Sequence, residues 1–189
     1  MSKASTVLAL LASCFALGVA RAESPPVFIR SFPEHVFPYA LDNPKGIGVD
    51  PSGNVYIADS GHRRVLKFSS AGMFLSEFAN PAFLLPIDIA FGPDGTAYMS
   101  DGSGRLDVLD SNFSLIETRT GNYGSIAPDP SGTYLYSTSS VNMYKYRVSD
   151  GLLIAFWQYT PVGSGQIGFG VGPSGTIYYP VYPNSWVSG

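Results

Sequence analysis

The sequence predicts an all-β fold, a β-propeller built from four-stranded antiparallel blades. Four segments share a strand-like run, a Pro-x-Gly turn and a second strand rich in aromatic residues, and they begin at Gly46, Asp88, Ser125 and Gly168. The turn glycines are Gly53, Gly95, Gly132 and Gly175. Successive turn glycines are 42, 37 and 43 residues apart. A period near forty with several short strands in each unit is typical of a propeller.

Each repeat divides into short strands separated by turns. In the first repeat, Val55, Tyr56 and Ile57 are β-branched and aromatic residues that fit a half-buried pleated surface. Pro51 fixes φ and Gly53 tolerates a positive φ, so the pair predicts a tight turn. The predicted strands of the first repeat are Gly46–Val49, Asn54–Ala58, Val65–Phe68 and Phe74–Phe78. Those of the next two repeats are Thr96–Ser100, Leu106–Leu109, Leu115–Thr118, Tyr134–Ser137, Met143–Arg147 and Leu152–Trp157.

The innermost strand of each repeat carries a small residue, which lets neighbouring backbones approach where strands converge on the propeller axis. The equivalent residues are Gly48, Ala90, Ala127 and Gly170. Apolar neighbours are expected to face between blades, and these are Ile47, Ile89, Ile126 and Phe169. The recurring tyrosines of the second strand are expected in the same inter-blade core, and these are Tyr56, Tyr98, Tyr136 and Tyr178. A single blade cannot bury both faces, so the repeats must stack.

Residues 1–22 are predicted to be a cleaved signal peptide. Lys3 supplies a positive n-region, Val7 to Ala20 is mostly apolar, and Ala20 to Ala22 forms an A-x-A cleavage site before Glu23. A secreted or periplasmic location is therefore expected. The stretch ending at Cys14 also fits a lipobox, which would anchor the chain through an acylated cysteine, but the apolar residues that follow favour plain secretion.

Composition restricts the partners of the mature chain. Removal of the leader takes away the only cysteine, so no disulfide can form. Without Lys3 and Arg21, nine basic and 14 acidic residues leave a net charge of −5. This balance argues against a nucleic-acid partner, which needs a basic surface. No second hydrophobic stretch is long enough for a membrane span.

After the leader, residues 23–43 are expected to form an N-terminal arm and residues 44–189 the repeats. The repeats span about 44–79, 86–119 and 124–157, with a partial repeat at 166–189. In the arm, Val27–Phe32 resembles an outer fourth strand that would complete the last blade. Three full blades plus pieces fall below the usual range of about 4–8. Either the chain is a truncated product or two copies self-associate to close one ring, and truncation is favoured.

The segment from Pro44 to Phe78 resembles an NHL repeat. The matching elements are PxGIxVD, the GNVYIADS strand, an SGxxRV segment and a final FLxxF. The second repeat keeps Asp101 and Arg105, and the third and fourth are recognisable mainly by PSG and the aromatic residues. The resemblance covers most of residues 44–180 and implies membership of a six-bladed propeller family that includes lactonases, peptide-amidating lyases and plain binding proteins. Fold alone does not choose among these functions.

The resemblance also implies structural roles for two pairs of residues. In such a propeller Asp59 and Arg64, and likewise Asp101 and Arg105, brace one hairpin. The usual repeat has an Asn-His pair before the arginine, whereas His62 and Arg63 stand there in this chain.

The candidate binding residues lie on loops at one face, which we call the loop face: the loops Asp59–Arg64, Asp101–Arg105 and Asn80–Pro86. The individual residues are Asp59, His62, Arg63, Arg64, Asp101 and Arg105. His62 would need an orienting partner to act as a base, and none is recognisable in the sequence, so a solvated loop residue is favoured. Asp59 and Asp101 would suit a central cation, but their companion arginines favour structural pairs. Asp88 begins an inner strand and would line the channel as a lone carboxylate.

Two classes of function follow from these residues. The first is an extracytoplasmic propeller that binds a protein or small-molecule ligand on its loop face and needs no cofactor. The alternative is a metal-dependent lactonase- or lyase-like enzyme with Ca²⁺ or Zn²⁺ in the central channel, or a truncated fragment of one. No zinc pattern, phosphate-cradling glycine loop or nucleophile elbow is present in the sequence. Binding therefore ranks ahead of catalysis, and no catalytic residue is assigned.

Overall fold

The structure is a computed structural model that describes residues 40–79, 85–139, 142–158 and 168–179. All of these residues belong to one compact unit, His35–Gly189. Within these ranges the chain forms 14 strands and no helix. The predicted signal peptide and the predicted arm strand Val27–Phe32 lie outside the described residues.

The strands form three four-stranded antiparallel sheets and one two-stranded sheet, each built from strands consecutive in sequence. The first blade contains β1 (Pro44–Val49), β2 (Val55–Asp59), β3 (Arg64–Phe68) and β4 (Phe74–Ala79). The second contains β5 (Pro86–Phe91), β6 (Ala97–Asp101), β7 (Arg105–Leu109) and β8 (Leu115–Thr120). The third contains β9 (Ile126–Pro128), β10 (Tyr134–Ser139), β11 (Asn142–Arg147) and β12 (Leu153–Gln158). The two-stranded sheet contains β13 (Gly170–Val171) and β14 (Ile177–Tyr178).

This architecture confirms the all-β propeller prediction. Every strand predicted in the first three repeats is present, with ends that differ by no more than two residues. The turns between first and second strands also form as predicted, because Gly53, Gly95, Gly132 and Gly175 all have φ between 71° and 86°. Asp50 completes the first of these turns, since its Oδ1 accepts hydrogen bonds of 2.9 Å from the backbone N–H groups of Ser52 and Asn54.

Strand register confirms the equivalence of the four small residues. Gly48, Ala90, Ala127 and Gly170 each lie opposite the recurring tyrosine of the neighbouring strand. The predicted close approach is real at Gly48, where a Cβ atom would lie 2.6 Å from the carbonyl oxygen of Ile89. At Gly170 no described atom lies within 4 Å. The small residue is therefore required where a second inner strand packs against the first.

Hydrophobic cores fill the two junctions between complete blades. The junction between the first and second blades buries Tyr56, Val65, Ile89, Ala97, Met99 and Leu109. Its outer end is closed by aromatic stacking, since the Phe113 ring lies 4.2 Å from Phe78 and 5.3 Å from Tyr56 between centroids. The junction between the second and third blades buries Tyr98, Leu106, Val108, Tyr123, Ile126, Leu135, Tyr144 and Tyr146.

The predicted inter-blade positions hold only where two described blades meet. Ile89 and Ile126 are buried as expected, but Ile47 is 66% exposed, so its predicted place between blades is wrong within the described structure. Tyr178 is likewise 64% exposed, unlike its three buried counterparts. The reason is the same in both cases. No described blade covers the face of β1 that carries Ile47 or the face of β14 that carries Tyr178.

Candidate functional site

Two of the loops predicted to form the loop face, Asp59–Arg64 and Asp101–Arg105, lie at one end of the blades, whereas most of the third, Asn80–Pro86, lies outside the described residues. Pro44 pairs with Asp59 across β1 and β2, and Pro86 pairs with Asp101 across β5 and β6. The inner strands therefore begin at the end where the second strands finish. The Pro-x-Gly turns lie at the opposite end, because adjacent strands run antiparallel.

Asp59 is the centre of a buried polar network in the first blade. Its side chain is 0% exposed, and its Oδ2 accepts a 2.8 Å hydrogen bond from Arg64 Nε while its Oδ1 accepts one of 2.7 Å from the Asp42 N–H. Arg64 also donates through Nη1 to Glu77 Oε2 at 3.0 Å. Burial alone would raise the pKa of Asp59, but the hydrogen bonds from Arg64, Asp42 and His62 outweigh it and lower that pKa. The hairpin is thus braced by Asp59 and Arg64.

His62 has an orienting partner in Asp59, which was not recognised from the sequence. Its Nδ1 lies 2.9 Å from Asp59 Oδ2, and its side chain is 45% exposed. The neighbouring Arg63 is exposed and sits in the left-handed region with φ of 54°, a conformation uncommon for residues other than glycine. These two side chains stand at the tip of the loop, whereas Asp59 and Arg64 are buried beneath it. The carboxylate three residues before His62 is the sequence signal for this contact.

The second blade does not repeat the side-chain pair of the first. Asp101 Oδ1 accepts hydrogen bonds from the backbone N–H groups of Ser103 at 2.8 Å and Arg105 at 3.1 Å. The guanidinium of Arg105 instead bonds Asp107 Oδ1, through Nε at 2.9 Å and Nη2 at 2.8 Å. The implied bracing of Asp101 by the Arg105 side chain is therefore wrong. The residue two positions after the arginine is a buried acid, Asp107, where the first blade has Leu66.

This diversion leaves Asp101 without a cation. Its Oδ2 is buried and has no hydrogen-bond partner within the described structure. In the third blade the equivalent position, by register with Tyr136, is Ser139. Across the described ranges no three His, Cys, Asp or Glu side chains gather where they would hold a metal ion. The loop-face carboxylates Asp59 and Asp101 thus bond groups of their own hairpins.

An axial cavity of about 930 Å³ lies between the inner strands. The described strands β1, β5, β9 and β13 line it from the loop face, where Gly102 of the β6–β7 loop contributes, to the opposite end, where Val49 and Phe91 contribute. Small and aliphatic residues make up much of this lining, and they include Gly46, Gly48, Ala127 and Gly168. The titratable side chains that line it are Lys45 and Asp88.

Asp88 is the carboxylate that lines this cavity, and it joins two blades. Its Oδ1 accepts a 2.9 Å hydrogen bond from the Ile89 N–H, and its Oδ2 accepts one of 2.9 Å from the Ile126 N–H of the third blade. Burial raises the pKa of Asp88 to about 6, against the lowering effect of these two N–H groups. By strand register, the equivalent positions of the other three repeats are Gly46, Ser125 and Gly168. Of the four repeats, the second therefore has a carboxylate at this position and the others do not.

Comparisons with known proteins support the fold and the first repeat. Residues 41–68 match the model of the NHL repeat family. No curated protein matches the sequence.

Among solved structures, hydrazine synthase of Kuenenia stuttgartiensis is similar with a TM-score of 0.56 and 19% identity, over 77% of this chain and 46% of the other. A chain of the mitotic checkpoint complex is similar with a TM-score of 0.59 and 19% identity, over 80% of this chain and 49% of the other. The chain spans about half the length of these two β-propeller proteins. At such identity the likeness concerns the fold. The chain is therefore a β-propeller of four-stranded blades, and its first repeat contains a segment, residues 41–68, that matches the NHL repeat.

Proposed function

We propose that the chain is an extracytoplasmic binding scaffold that takes a ligand or a protein partner at its loop face. The observation that carries this proposal is the cavity of about 930 Å³, which reaches the loop face and holds one carboxylate, Asp88. Concave sites that hold a few convergent polar groups are the usual places where proteins bind ligands.

The predicted site residues divide into two groups under this proposal. Asp59 and Arg64 are buried in the network described above, and Arg105 is bonded to Asp107, so these groups hold the loops in place. His62 and Arg63 are exposed at the loop tip and are available for contact. A partner would meet these two side chains around the cavity.

Two further observations support the parts of this proposal. The signal-peptide pattern that ends at Ala22 supports a location outside the cytoplasm. A chain of the mitotic checkpoint complex, which is itself an assembly, has the same fold, so the fold is compatible with a protein partner. Within the described ranges, no helix is both long and apolar enough to cross a membrane.

Site-specific photo-crosslinking in the native host tests the proposal. A photoreactive amino acid at Arg63 stands on the loop face, whereas one at Ser52 stands on the opposite turn and serves as the matched control. We expect a crosslinked product from the exported protein with the probe at position 63 and none at position 52. Equal crosslinking at both positions, or none at 63, would refute the proposed face. N-terminal sequencing of the same exported protein tests cleavage before Glu23.

The enzyme alternative draws support from one observation, the raised pKa of Asp88. A carboxylate with a pKa near 6 inside a cavity suits a general base. A bound metal would stabilise the folded state by mass action. If the protein is a lactonase- or lyase-like metalloenzyme, stoichiometric Ca²⁺ or Zn²⁺ should accompany it and chelation should lower its Tm. An unchanged Tm and no bound metal would eliminate this alternative.

A further inference from the structure

We propose that Asp88 makes the axial cavity a receptor for a cation, the ammonium or guanidinium group of a basic side chain on a polypeptide partner. This inference rests on the proposed binding function and names the chemistry that the cavity recognises.

The Asp88 carboxylate is held in a fixed position at the junction of two blades. Backbone N–H groups of Ile89 and Ile126, from two different blades, fix its two oxygens at 2.9 Å each. An ionised carboxylate has about four acceptor positions, so roughly two stay unused. Because Asp88 also lines the cavity, its free acceptor positions are open to a donor that enters there. The oxygens are thus held in place before any ligand arrives.

Among the described residues, Asp88 has no counter-charge. In the described structure, no Lys, Arg or His side chain forms an ion pair with Asp88. Lys45 is the other titratable group along the cavity wall, and it is exposed at the start of β1. Burial therefore disfavours the charged form of Asp88, which is why its pKa is raised. A cation that enters the cavity would relieve this cost with charge-assisted hydrogen bonds.

The wall of the cavity suits the alkyl stem of a basic side chain and the peptide that carries it. Gly46, Gly48 and Gly168 give the wall no side chains, so an alkyl stem can lie against backbone. β1, β5 and β9 are edge strands of their sheets and line the cavity, and the Ile89 and Ile126 N–H groups on two of them already bond Asp88. Such edges offer N–H and C=O groups to an extended peptide. A cavity of about 930 Å³ is suited to more than one side chain, which favours a polypeptide over a small free amine.

Calorimetric titration with short peptides tests this proposal. The probes are acetyl-Gly-Lys-Gly-amide and its arginine counterpart, and the control is the norleucine peptide, which keeps the stem without the charge. At pH 7.5 we expect both cationic peptides to bind at least about tenfold more tightly than the norleucine peptide, as expected for a charged hydrogen bond. Affinity should fall as the pH drops below 6, because protonation removes the charge of Asp88.

Variants locate the effect on one carboxylate. Asp88→Asn should weaken the cationic peptides about tenfold or more, whereas Asp94→Asn makes the same charge change at an exposed turn of the same blade and should not. Equal binding of the lysine and norleucine peptides to the native protein would overturn the proposal, and so would unchanged affinity in Asp88→Asn. The comparison of the two peptides holds even if Asp88→Asn fails to fold.

Three further outcomes separate the related hypotheses. Binding of n-butylammonium as tight as that of the lysine peptide would overturn the polypeptide as the source of the cation. Crosslinking at Arg63 without any peptide binding would leave the binding scaffold in place and refute the cation site. Cation binding without crosslinking at Arg63 would support the cation site and refute the loop tip as the contact with a partner.

Discussion

Gly48 offers the sharpest test of how the blades pack. It sits in β1 where the inner strands of the first two blades meet, and a Cβ atom there would lie 2.6 Å from the Ile89 carbonyl oxygen and 3.1 Å from Phe91 Cε2. We expect Gly48→Ala to force the two strands apart. The neighbour is a backbone oxygen rather than the end of a flexible side chain, so no rotamer change can relieve the contact.

The size of the effect follows from this distance. Ordinary contacts of a Cβ atom begin near 3.4 Å, so β1 and β5 must separate by about 0.8 Å. Overpacking of this kind costs about 1–3 kcal/mol, and the reduced entropy of the unfolded chain returns about 0.4–1 kcal/mol. The midpoints leave a net loss of about 1.3 kcal/mol, which corresponds to a Tm lower by roughly 3–5 °C in a domain of this size.

Thermal unfolding followed by circular dichroism measures this loss. Gly170→Ala is the matched control, because Gly170 occupies the equivalent position and no described atom lies within 4 Å. Its Tm should stay unchanged or rise slightly. If Gly48→Ala melts at or above the temperature of the native protein, or if Gly170→Ala loses as much stability, the inner strands do not pack as described.

Three further predictions concern polar groups. Arg64→Met should lower the free energy of unfolding in urea by about 3–5 kcal/mol, because it leaves the buried Asp59 carboxylate without its cation. The control variant Arg147→Met removes an exposed ion pair and should change this free energy little. Equal effects of the two substitutions would contradict a structural role for the buried pair. Ser100→Ala should lower the free energy of unfolding by about 1–3 kcal/mol in the same assay, since the buried Ser100 hydroxyl donates a 2.6 Å hydrogen bond to the Gly124 carbonyl, just before the third blade. An unchanged free energy would mean that this bond does not join the blades. The pKa of Asp88 is about 6 in the folded protein and near its ordinary 3.8 in the unfolded chain, so the folded state binds the proton more tightly. Protonation of Asp88 therefore stabilises the fold fully below about pH 4, and this stabilisation is lost as the pH rises through 6. That contribution is about 3 kcal/mol, and Asp88→Asn should remove it, so parallel pH profiles of the native protein and the variant would refute the raised pKa.

The fold was predictable from sequence because its signals are local. A turn needs its proline, aspartate and glycine within a few residues, and a strand needs a few β-branched or aromatic residues. The blades repeat these signals at a nearly fixed period. Whether an individual apolar residue is buried does not depend on local sequence alone. Ile47 and Ile89 occupy equivalent positions, and of the two, Ile89 has a described blade packed against it.

The candidate site was harder to predict because its contacts join distant residues. The partner of Arg105 depends on Asp107, which alternation along β7 places on the same face, and the pattern Asp101-Arg105 does not show this competition. Asp88 is recognisable in sequence only as a lone acid. Its significance comes from Ile126, which is 38 residues away and belongs to the next blade.

The repeats suggest where function in this chain should be sought. The segment that matches the family, residues 41–68, contains Asp59 and Arg64, and both are committed to holding a hairpin. The carboxylate in the cavity, Asp88, lies outside that match and replaces a glycine of the first repeat, Gly46. The turn glycines and the small inner-strand residues recur in all four repeats, and they serve the blades themselves. Asp88 is a position where one repeat departs from the others and its side chain lines the cavity, which is why the proposed specificity is assigned to it.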